Sequence, residues 1–364
     1  MAKTGERSAP WEEKKRRAMG NDSGIKTFAK APDAPAGHHA TTVTSVAFAK
    51  DKSAFVTAGT DGKVLMWKGS YADPEKILAA EACPAWTATA IGGTCVSGFD
   101  DGSIAKVDLD SGEKTILKGH EEAVSKLAAY GSDKFVSASR DSTALVWSLG
   151  AGDEPVLKLE GHAEGLTDVA VVEDKAVTAS LDGTLKVWDL KTGKALATLK
   201  GHSLQVTCVA VVSATTVASG SADGSVRTWN VETGECLQSI DGAHSASVTG
   251  LHRVLDTKIV STGWDGAAKV WDPATGKPVG SQMGPPKDRT TRDKENGVCA
   301  SCVTEDGAKL VATYFSKKVV VWDCKSSRVV KEKNQDKGFA TAVGVDSANK
   351  VVLGLSHGEV APLD

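Results

Sequence analysis

The chain has 364 residues, of which 41% are hydrophobic, and a formal net charge of -3. This composition suits a globular protein and excludes a basic surface that would draw the whole chain to nucleic acid. No segment is long and apolar enough for a membrane span, and the first residues contain no hydrophobic run typical of a secretory signal.

The seven cysteines are odd in number and irregularly spaced. A chain of this size can build a core without disulfides, so we expect reduced thiols in the cytoplasm, with the nucleus as the alternative. Cys299 and Cys302 lie three apart on a predicted strand and therefore point to opposite faces. Because no second cysteine pair stands at zinc spacing, we predict no metal and no cofactor.

The first predicted element is a charged tail over residues 1–24. Its densest charged run follows Trp11 and contains the basic residues Lys14, Lys15, Arg16 and Arg17. A solvated tail is the simplest interpretation. The functional interpretations are a nuclear-localisation patch, an RNA-contacting arm and a docking helix anchored by Trp11. We expect contact with nucleic acid only through this tail.

From residue 25 onward the chain is built of repeats. Tryptophans recur at the ends of predicted strands, at Trp67, Trp147, Trp188, Trp229, Trp271 and Trp322. The middle steps are 41, 41 and 42 residues, and the first step is twice that period, with Val107 at its midpoint. A period of this size is the signature of a stacked-repeat architecture.

Residues 161–199 show one unit in full. Short strands are predicted over 166–172, 176–180, 184–188 and 195–199. Asp182-Gly183 joins the second and third strands, and Asp-Gly is a strong hairpin signal because glycine tolerates a positive φ. Gly201-His202 then starts the pattern again.

The Gly-His and Trp-Asp pairs of these units resemble the WD40 repeat of β-propellers. They occur as Gly119-His120, Gly161-His162, Gly201-His202, Trp188-Asp189, Trp271-Asp272 and Trp322-Asp323. The resemblance covers about residues 25–364 and implies an all-β fold, a WD40 β-propeller of four-stranded blades.

We predict eight blades, whose third strands end at Trp67, Val107, Trp147, Trp188, Trp229, Trp271, Trp322 and Leu363. Seven blades, with the last unit outside the ring, is the alternative. The last unit stops after its third strand, so we predict that residues 25–30 supply its fourth. A ring closed by both termini leaves no free strand edge.

The resemblance also implies a structural hydrogen-bond chain of His, Ser or Thr, Asp and Trp in each complete blade. The sets are His120, Ser137, Asp141 and Trp147; His162, Thr178, Asp182 and Trp188; His202, Ser219, Asp223 and Trp229; and His244, Ser261, Asp265 and Trp271, with His39, Thr57, Asp61 and Trp67 added in the first unit. Because an active site is built once and these sets recur, we predict no catalytic residue.

In this family, the residue before each turn Asp is a usual position for partner contacts. The candidates on this ring face are Asp100, Arg140, Leu181, Trp264 and Phe315, with Trp86 at the start of a neighbouring strand. Trp and Arg are enriched in binding hot spots, although single exposed hydrophobic residues are also ordinary. The long connection 281–297 adds Lys287, Arg289 and Arg292, in either a polar contact or a mobile arm.

The leading functional hypothesis is a non-enzymatic scaffold or adaptor that binds one or more proteins within a multisubunit complex. One alternative is a substrate-recognition or ubiquitin-binding subunit of the ubiquitin pathway. Another is a structural subunit of a ribonucleoprotein, ciliary or cytoskeletal assembly. Fold alone does not choose among these. We expect no membrane contact and no small-molecule substrate.

Overall fold

The computed structural model describes residues 38–49, 54–68, 73–150, 152–284, 297–346 and 348–363. These residues form antiparallel strands joined by turns, arranged in eight sheets within the described ranges. Over the same ranges, no helix has the length and apolar character needed to cross a membrane. The sheets are called blades 1 to 8 in chain order.

The first four blades contain four strands each. Blade 1 has β1 (Val43–Phe48), β2 (Ala54–Gly59), β3 (Lys63–Lys68) and β4 (Lys76–Ala80). Blade 2 has β5 (Ala85–Ile91), β6 (Thr94–Phe99), β7 (Ile104–Asp108) and β8 (Lys114–Leu117). Blade 3 has β9 (Val124–Tyr130), β10 (Lys134–Ser139), β11 (Thr143–Ser148) and β12 (Leu157–Glu160). Blade 4 has β13 (Leu166–Val172), β14 (Lys175–Ser180), β15 (Leu185–Asp189) and β16 (Ala195–Leu199).

The next three blades repeat this order, and the described part of the last has three strands. Blade 5 has β17 (Val206–Ser213), β18 (Thr216–Ser221), β19 (Val226–Asn230) and β20 (Cys236–Ile240). Blade 6 has β21 (Val248–Val254), β22 (Lys258–Gly263), β23 (Ala268–Trp271) and β24 (Pro278–Met283). Blade 7 has β25 (Val298–Val303), β26 (Lys309–Tyr314), β27 (Lys318–Asp323) and β28 (Arg328–Asn334). Blade 8 has β29 (Ala340–Val345), β30 (Val351–Leu355) and β31 (Val360–Pro362).

Local turn chemistry sets the strand ends, as blade 4 shows. Gly183 has φ +81°, and its N–H donates to the Ser180 carbonyl across 3.3 Å, which closes the turn between β14 and β15. Thr184 belongs to this turn because its Oγ1 donates to Asp182 Oδ1 at 2.7 Å. Strand β15 therefore begins one residue later than predicted.

The blades close into a ring. Each innermost strand contacts that of the next blade, and β1 of blade 1 contacts β29 of blade 8. At this junction, Thr341 Oγ1 donates to the Val43 carbonyl at 2.6 Å, and Thr42 Oγ1 donates to the Ser356 carbonyl at 3.0 Å. The prediction of an all-β ring of eight blades is confirmed, and the seven-blade alternative is wrong.

Threonines on the innermost strands repeat one contact between neighbouring blades. In each case the hydroxyl donates to the first carbonyl of the next innermost strand, at 2.6–2.7 Å, and the members are Thr44, Thr167, Thr207 and Thr341. A hydrogen bond of this kind contributes about 1 kcal/mol. The apolar layers between blades supply the larger stabilisation, with Trp67, Trp147, Trp188 and Trp229 fully buried.

Several predicted features lie outside the described residues. These are the tail 1–24 with Trp11, Lys14, Lys15, Arg16 and Arg17, the strand 25–30, and the connection residues Lys287, Arg289 and Arg292. The fourth strand of blade 8 and the domain boundary at residue 25 therefore stay predictions.

Candidate protein-interaction face

A buried hydrogen-bond chain crosses blade 3. His120 Nδ1 lies 2.8 Å from Asp141 Oδ2, and His120 Nε2 lies 2.7 Å from Ser137 Oγ. Trp147 Nε1 donates to the same hydroxyl at 2.8 Å. Because a carboxylate only accepts, the imidazole donates from Nδ1, and the hydroxyl then donates to Nε2. Every member of the chain has a partner.

The same contacts recur in three other blades. They join His39, Thr57, Asp61 and Trp67 in blade 1, His162, Thr178, Asp182 and Trp188 in blade 4, and His244, Ser261, Asp265 and Trp271 in blade 6, at 2.8–2.9 Å. Each carboxylate also accepts the backbone N–H that follows its histidine, as Asp182 does from Ala163. In blades 1, 3, 4 and 6, this hydrogen-bond chain thus fastens the turn to the loop that leads into the blade.

These contacts keep the turn carboxyls ionised. Burial alone would raise the pKa of Asp265, but hydrogen bonds from His244 and from backbone N–H groups lower it to about 2. The pKa values of Asp61, Asp141 and Asp182 also lie below their usual range, because the same kinds of hydrogen bond outweigh burial.

Blade 5 differs in one contact. His202 Nδ1 lies 2.8 Å from Ser225 Oγ and 3.5 Å from Asp223 Oδ2, and Ser225 Oγ lies 2.6 Å from Asp223 Oδ1. The serine hydroxyl thus bridges imidazole and carboxylate. Ser219 Oγ still accepts a hydrogen bond from Trp229 Nε1–H and contacts His202 Nε2, as in the other blades.

The chain of Ser, His and Asp has the connectivity of a catalytic triad, but the hydroxyl is inaccessible. Ser137, Ser219, Ser261 and Thr178 are completely buried, and each accepts an indole N–H. A nucleophile must reach a substrate in a pocket. The geometry of these sets therefore supports a structural role. In the described ranges, no group of three or more His, Cys, Asp or Glu could hold a metal ion.

One residue of the turn between the second and third strands, here called the turn residue, repeats one backbone contact in every blade. In blades 1 to 6 it directly precedes the turn Asp, and in blades 7 and 8 it precedes Ser316 and His357. Its N–H donates to the carbonyl of the residue just before the innermost strand, here called the leading residue, at 2.9–3.2 Å. The turn residues are Thr60, Asp100, Arg140, Leu181, Ala222, Trp264, Phe315 and Ser356, and the leading residues are Thr42, Pro84, Ala123, Gly165, Gln205, Ser247, Gly297 and Phe339. Because this contact is the same in every blade, these residues share one face of the ring.

Three aromatic side chains on this face form a continuous row, here called the aromatic row. The rings of Trp264 and Phe315 lie 5.9 Å apart at 66°, and those of Phe315 and Phe339 lie 5.2 Å apart at 57°. Edge-to-face and tilted contacts at these distances are favourable for aromatic pairs. The row runs across blades 6, 7 and 8, and Trp264 remains 54% exposed.

Backbone contacts fix the aromatic row in place. A Cβ on Gly297 would lie 3.2 Å from the Trp264 carbonyl oxygen and 3.5 Å from the Phe315 ring, so the backbone at Gly297 packs closely against both residues. Phe339 donates its N–H to Ser356 Oγ at 3.2 Å and accepts the Ser356 N–H at 2.9 Å. Because these side chains are already held in place, the surface loses little conformational entropy when it binds a partner.

The other predicted face residues lie in blades 2 to 4. Trp86 Nε1 donates to Asp100 Oδ1 at 2.7 Å, so these two residues meet within blade 2. The backbone of Arg140 contacts Gly165, where a Cβ would lie 2.8 Å from the Arg140 carbonyl oxygen. Leu181 is partly buried in the next turn. The predicted set therefore occupies two sectors of the face.

Sequence reasoning missed Phe339. It is a leading residue, and the candidates were chosen only among turn residues and Trp86. The available signal was its position directly before the first strand of the last unit, beside the turn of the preceding blade. Aromatic residues at both kinds of position in neighbouring blades would indicate a contact between them.

The comparison with family models gives the class of protein. The WD domain, G-beta repeat model matches residues 34–68, 112–148, 153–189, 193–230 and 234–272, which together make up just over half of the chain. The chain belongs to the WD40-repeat family, whose propeller fold generally mediates protein–protein interactions or scaffolding.

No curated protein matches the chain. Among solved structures, it is similar to the crystal structure of the computationally designed Ika8 protein, at 26% sequence identity and a TM-score of 0.78. The match covers 89% of this chain and 96% of the designed one. A likeness to a designed protein supports the fold but points to no natural partner.

Proposed function

We propose that this chain is a non-enzymatic adaptor that binds a partner protein through the aromatic row of Trp264, Phe315 and Phe339. The observation that carries the proposal is the exposed indole of Trp264, held against Phe315 by ring contact. An aromatic side chain that stays half exposed beside other rings is a feature of interaction surfaces, where Trp residues dominate the binding energy.

The outer surface of the ring offers a weaker alternative. Its large exposed apolar side chains are spread over the fourth strands or their ends, at Ile77, Val156, Leu196, Leu237, Val329 and Val330. Most of these stand alone in their blades, and scattered single hydrophobic residues are normal on soluble proteins. The aromatic row combines residues from three adjacent blades, and this favours the face over the sides.

Replacing Trp264 by alanine should abolish capture of the main partner while leaving the ring folded. Truncating a hot-spot Trp typically costs about 2 kcal/mol or more of binding free energy, which is about thirtyfold in affinity. The measurement is affinity capture from native lysate with quantitative mass spectrometry, using wild type and Trp264→Ala at equal concentrations. Thermal unfolding of both proteins checks the fold.

Leu204→Ala is the matched control, because Leu204 is 51% exposed and lies one position before the leading residue Gln205 on the same face. It should retain the partner. Equal capture of the partner by wild type and both variants would rule out the aromatic row as the binding site. Loss only on removal of residues 1–23 would favour the assembly-subunit alternative, with the tail as a tether. The ubiquitin-pathway alternative stays a prediction.

A further inference from the structure

The aromatic row contains a hydrogen-bond donor that the fold does not use. Trp264 is 54% exposed, and within the described ranges its Nε1–H has no acceptor. The other exposed-face indole differs, because Trp86 Nε1 donates to Asp100 Oδ1 at 2.7 Å inside its own blade. An indole N–H only donates, so a ligand on Trp264 must supply an acceptor as well as apolar surface.

The backbone beneath the row is already paired. The N–H of Trp264 donates to the Ser247 carbonyl at 2.9 Å, and the N–H of Phe315 donates to the Gly297 carbonyl at 3.2 Å. A partner that adds a β-strand needs unpaired backbone groups along a sheet edge. Because these backbone donors are taken, a ligand contacts the row through the rings and the indole N–H.

The spacing and tilt of the rings define the shape of the surface. Centroids lie 5.9 Å apart from Trp264 to Phe315 and 5.2 Å apart from Phe315 to Phe339, with interplanar angles of 66° and 57°. Rings at such angles leave shallow hollows between them. The two spacings together match about one turn of a polyproline II helix, which rises about 9 Å over three residues.

Exposed charges of both signs surround the row. Lys317 lies in the turn of blade 7, and Lys337 lies in the loop that leads into blade 8. Asp336 in the same loop and Glu359 in the turn of blade 8 are exposed as well. These ammonium and carboxylate groups offset one another, so electrostatic complementarity favours neither an acidic nor a basic segment. An uncharged segment fits this surface.

The unused donor distinguishes between the shapes that an uncharged segment can take. An α-helix uses its carbonyls in its own hydrogen bonds and would cover Trp264 without pairing the indole. A polyproline II helix has no internal hydrogen bonds, so its carbonyls are free to accept. Proline-rich segments in this conformation dock on aromatic-lined surfaces, and their preformed shape lowers the entropy lost on binding.

We propose that the aromatic row binds a proline-rich segment of a partner protein in the polyproline II conformation. Its proline rings pack in the hollows between Trp264, Phe315 and Phe339, and one of its backbone carbonyls accepts the Trp264 Nε1–H. This inference rests on the proposed function and specifies its partner.

The test uses the full chain and two fluorescein-labelled peptides of identical composition. One is Gly-Ser-Pro-Pro-Leu-Pro-Pro-Leu-Pro-Gly-Ser built from L-amino acids, and the other is its mirror image built from D-amino acids. The mirror image keeps the apolar surface but forms a helix of the opposite hand. Fluorescence anisotropy should show at least about tenfold tighter binding of the L-peptide, because only that hand places prolines and carbonyl together on the row.

Trp264→Phe tests the hydrogen bond. It keeps an aromatic ring beside Phe315 but removes the donor, and it should weaken binding of the L-peptide by about fivefold. Trp86→Phe is the matched control, because the same change falls on the same face at an indole whose N–H is already paired with Asp100. It should bind the L-peptide as wild type does.

Three results would overturn the inference: equal binding of the two peptides to wild type, undiminished binding of the L-peptide by Trp264→Phe, or no binding up to about 1 mM. In those cases, loss of the natural partner by Trp264→Ala would leave the proposed function standing. If Trp264→Ala binds the natural partner as wild type does, the proposed function fails as well.

Discussion

Replacing Thr178 by valine is expected to lower the free energy of unfolding by about 2–4 kcal/mol. Valine matches threonine in shape but removes the hydroxyl that accepts Trp188 Nε1–H and contacts His162 Nε2, both at 2.8 Å. Two buried polar groups would then lose their partner at once. Urea unfolding followed by circular dichroism measures the change.

The control is Thr198→Val in the same blade. Thr198 is exposed, and its hydroxyl only accepts a hydrogen bond from Lys186 Nζ. It should change the free energy of unfolding by no more than about 0.5 kcal/mol. The reverse change is Ala312→Ser in blade 7, which would restore the hydroxyl that the complete blades place beside the indole, here that of Trp322, and stabilise the blade by about 1 kcal/mol. Equal losses for Thr178→Val and Thr198→Val would show that the buried chain contributes little to stability.

Mild acid is expected to destabilise the ring through two histidines that the fold keeps neutral. Burial lowers the pKa of His252 to about 4, with a further contribution from the ammonium of Lys126. Burial also lowers the pKa of His202 to about 4. The negative charge of Asp223 acts to raise this pKa, and the positive charge of Arg227 acts to lower it. In the unfolded chain each would titrate near 6.5.

The direction of the effect follows from proton binding. Between pH 6.5 and about 4 the unfolded chain takes up protons that the folded ring does not, so the free energy of unfolding falls as the pH falls. The His202 side chain is fully buried, and we expect about 2 kcal/mol from each histidine between pH 7 and pH 4.5. The turn aspartates act at lower pH, because their stabilisation is present above about pH 4 and is lost as the pH falls toward 2.

His252→Ala separates these contributions. Alanine occupies the corresponding position of the innermost strand in blades 3 to 5, at Ala128, Ala170 and Ala210, so the fold accommodates it. The variant should show about half the wild-type loss of unfolding free energy between pH 7 and pH 4.5, with His202 supplying the remainder. Urea titrations at several pH values measure this slope. An unchanged slope would mean that His252 is protonated in the folded ring.

Most of the fold could be predicted from local signals. Strands β13 and β16 have the predicted bounds, and β15 starts one residue later only because Thr184 bonds back to Asp182. Turn chemistry and tryptophan spacing act within one repeat, so they can be seen in a linear sequence. The same holds for the count of eight blades, which follows from the period.

Contacts between blades were harder to predict. The aromatic row joins turn residues Trp264 and Phe315 to leading residue Phe339, and the curvature of the ring decides that these rings touch. The Ser225 bridge between His202 and Asp223 depends on a small displacement that no spacing indicates. The loss of the hydroxyl in blade 7 could be seen from Ala312, but the burial of Tyr314 beside Trp322 needs the structure.

The most direct test of the partner site is site-specific photo-crosslinking of the full chain to its partner. The photoreactive residue p-benzoylphenylalanine would replace Phe315 on the aromatic row, Leu181 on the far sector of the same face, or Lys331 on the exposed outer strand β28. We expect a crosslink to the partner from position 315 and none from positions 181 and 331. A partner that crosslinks from position 331 or 181 but not from 315 would contradict binding through the aromatic row.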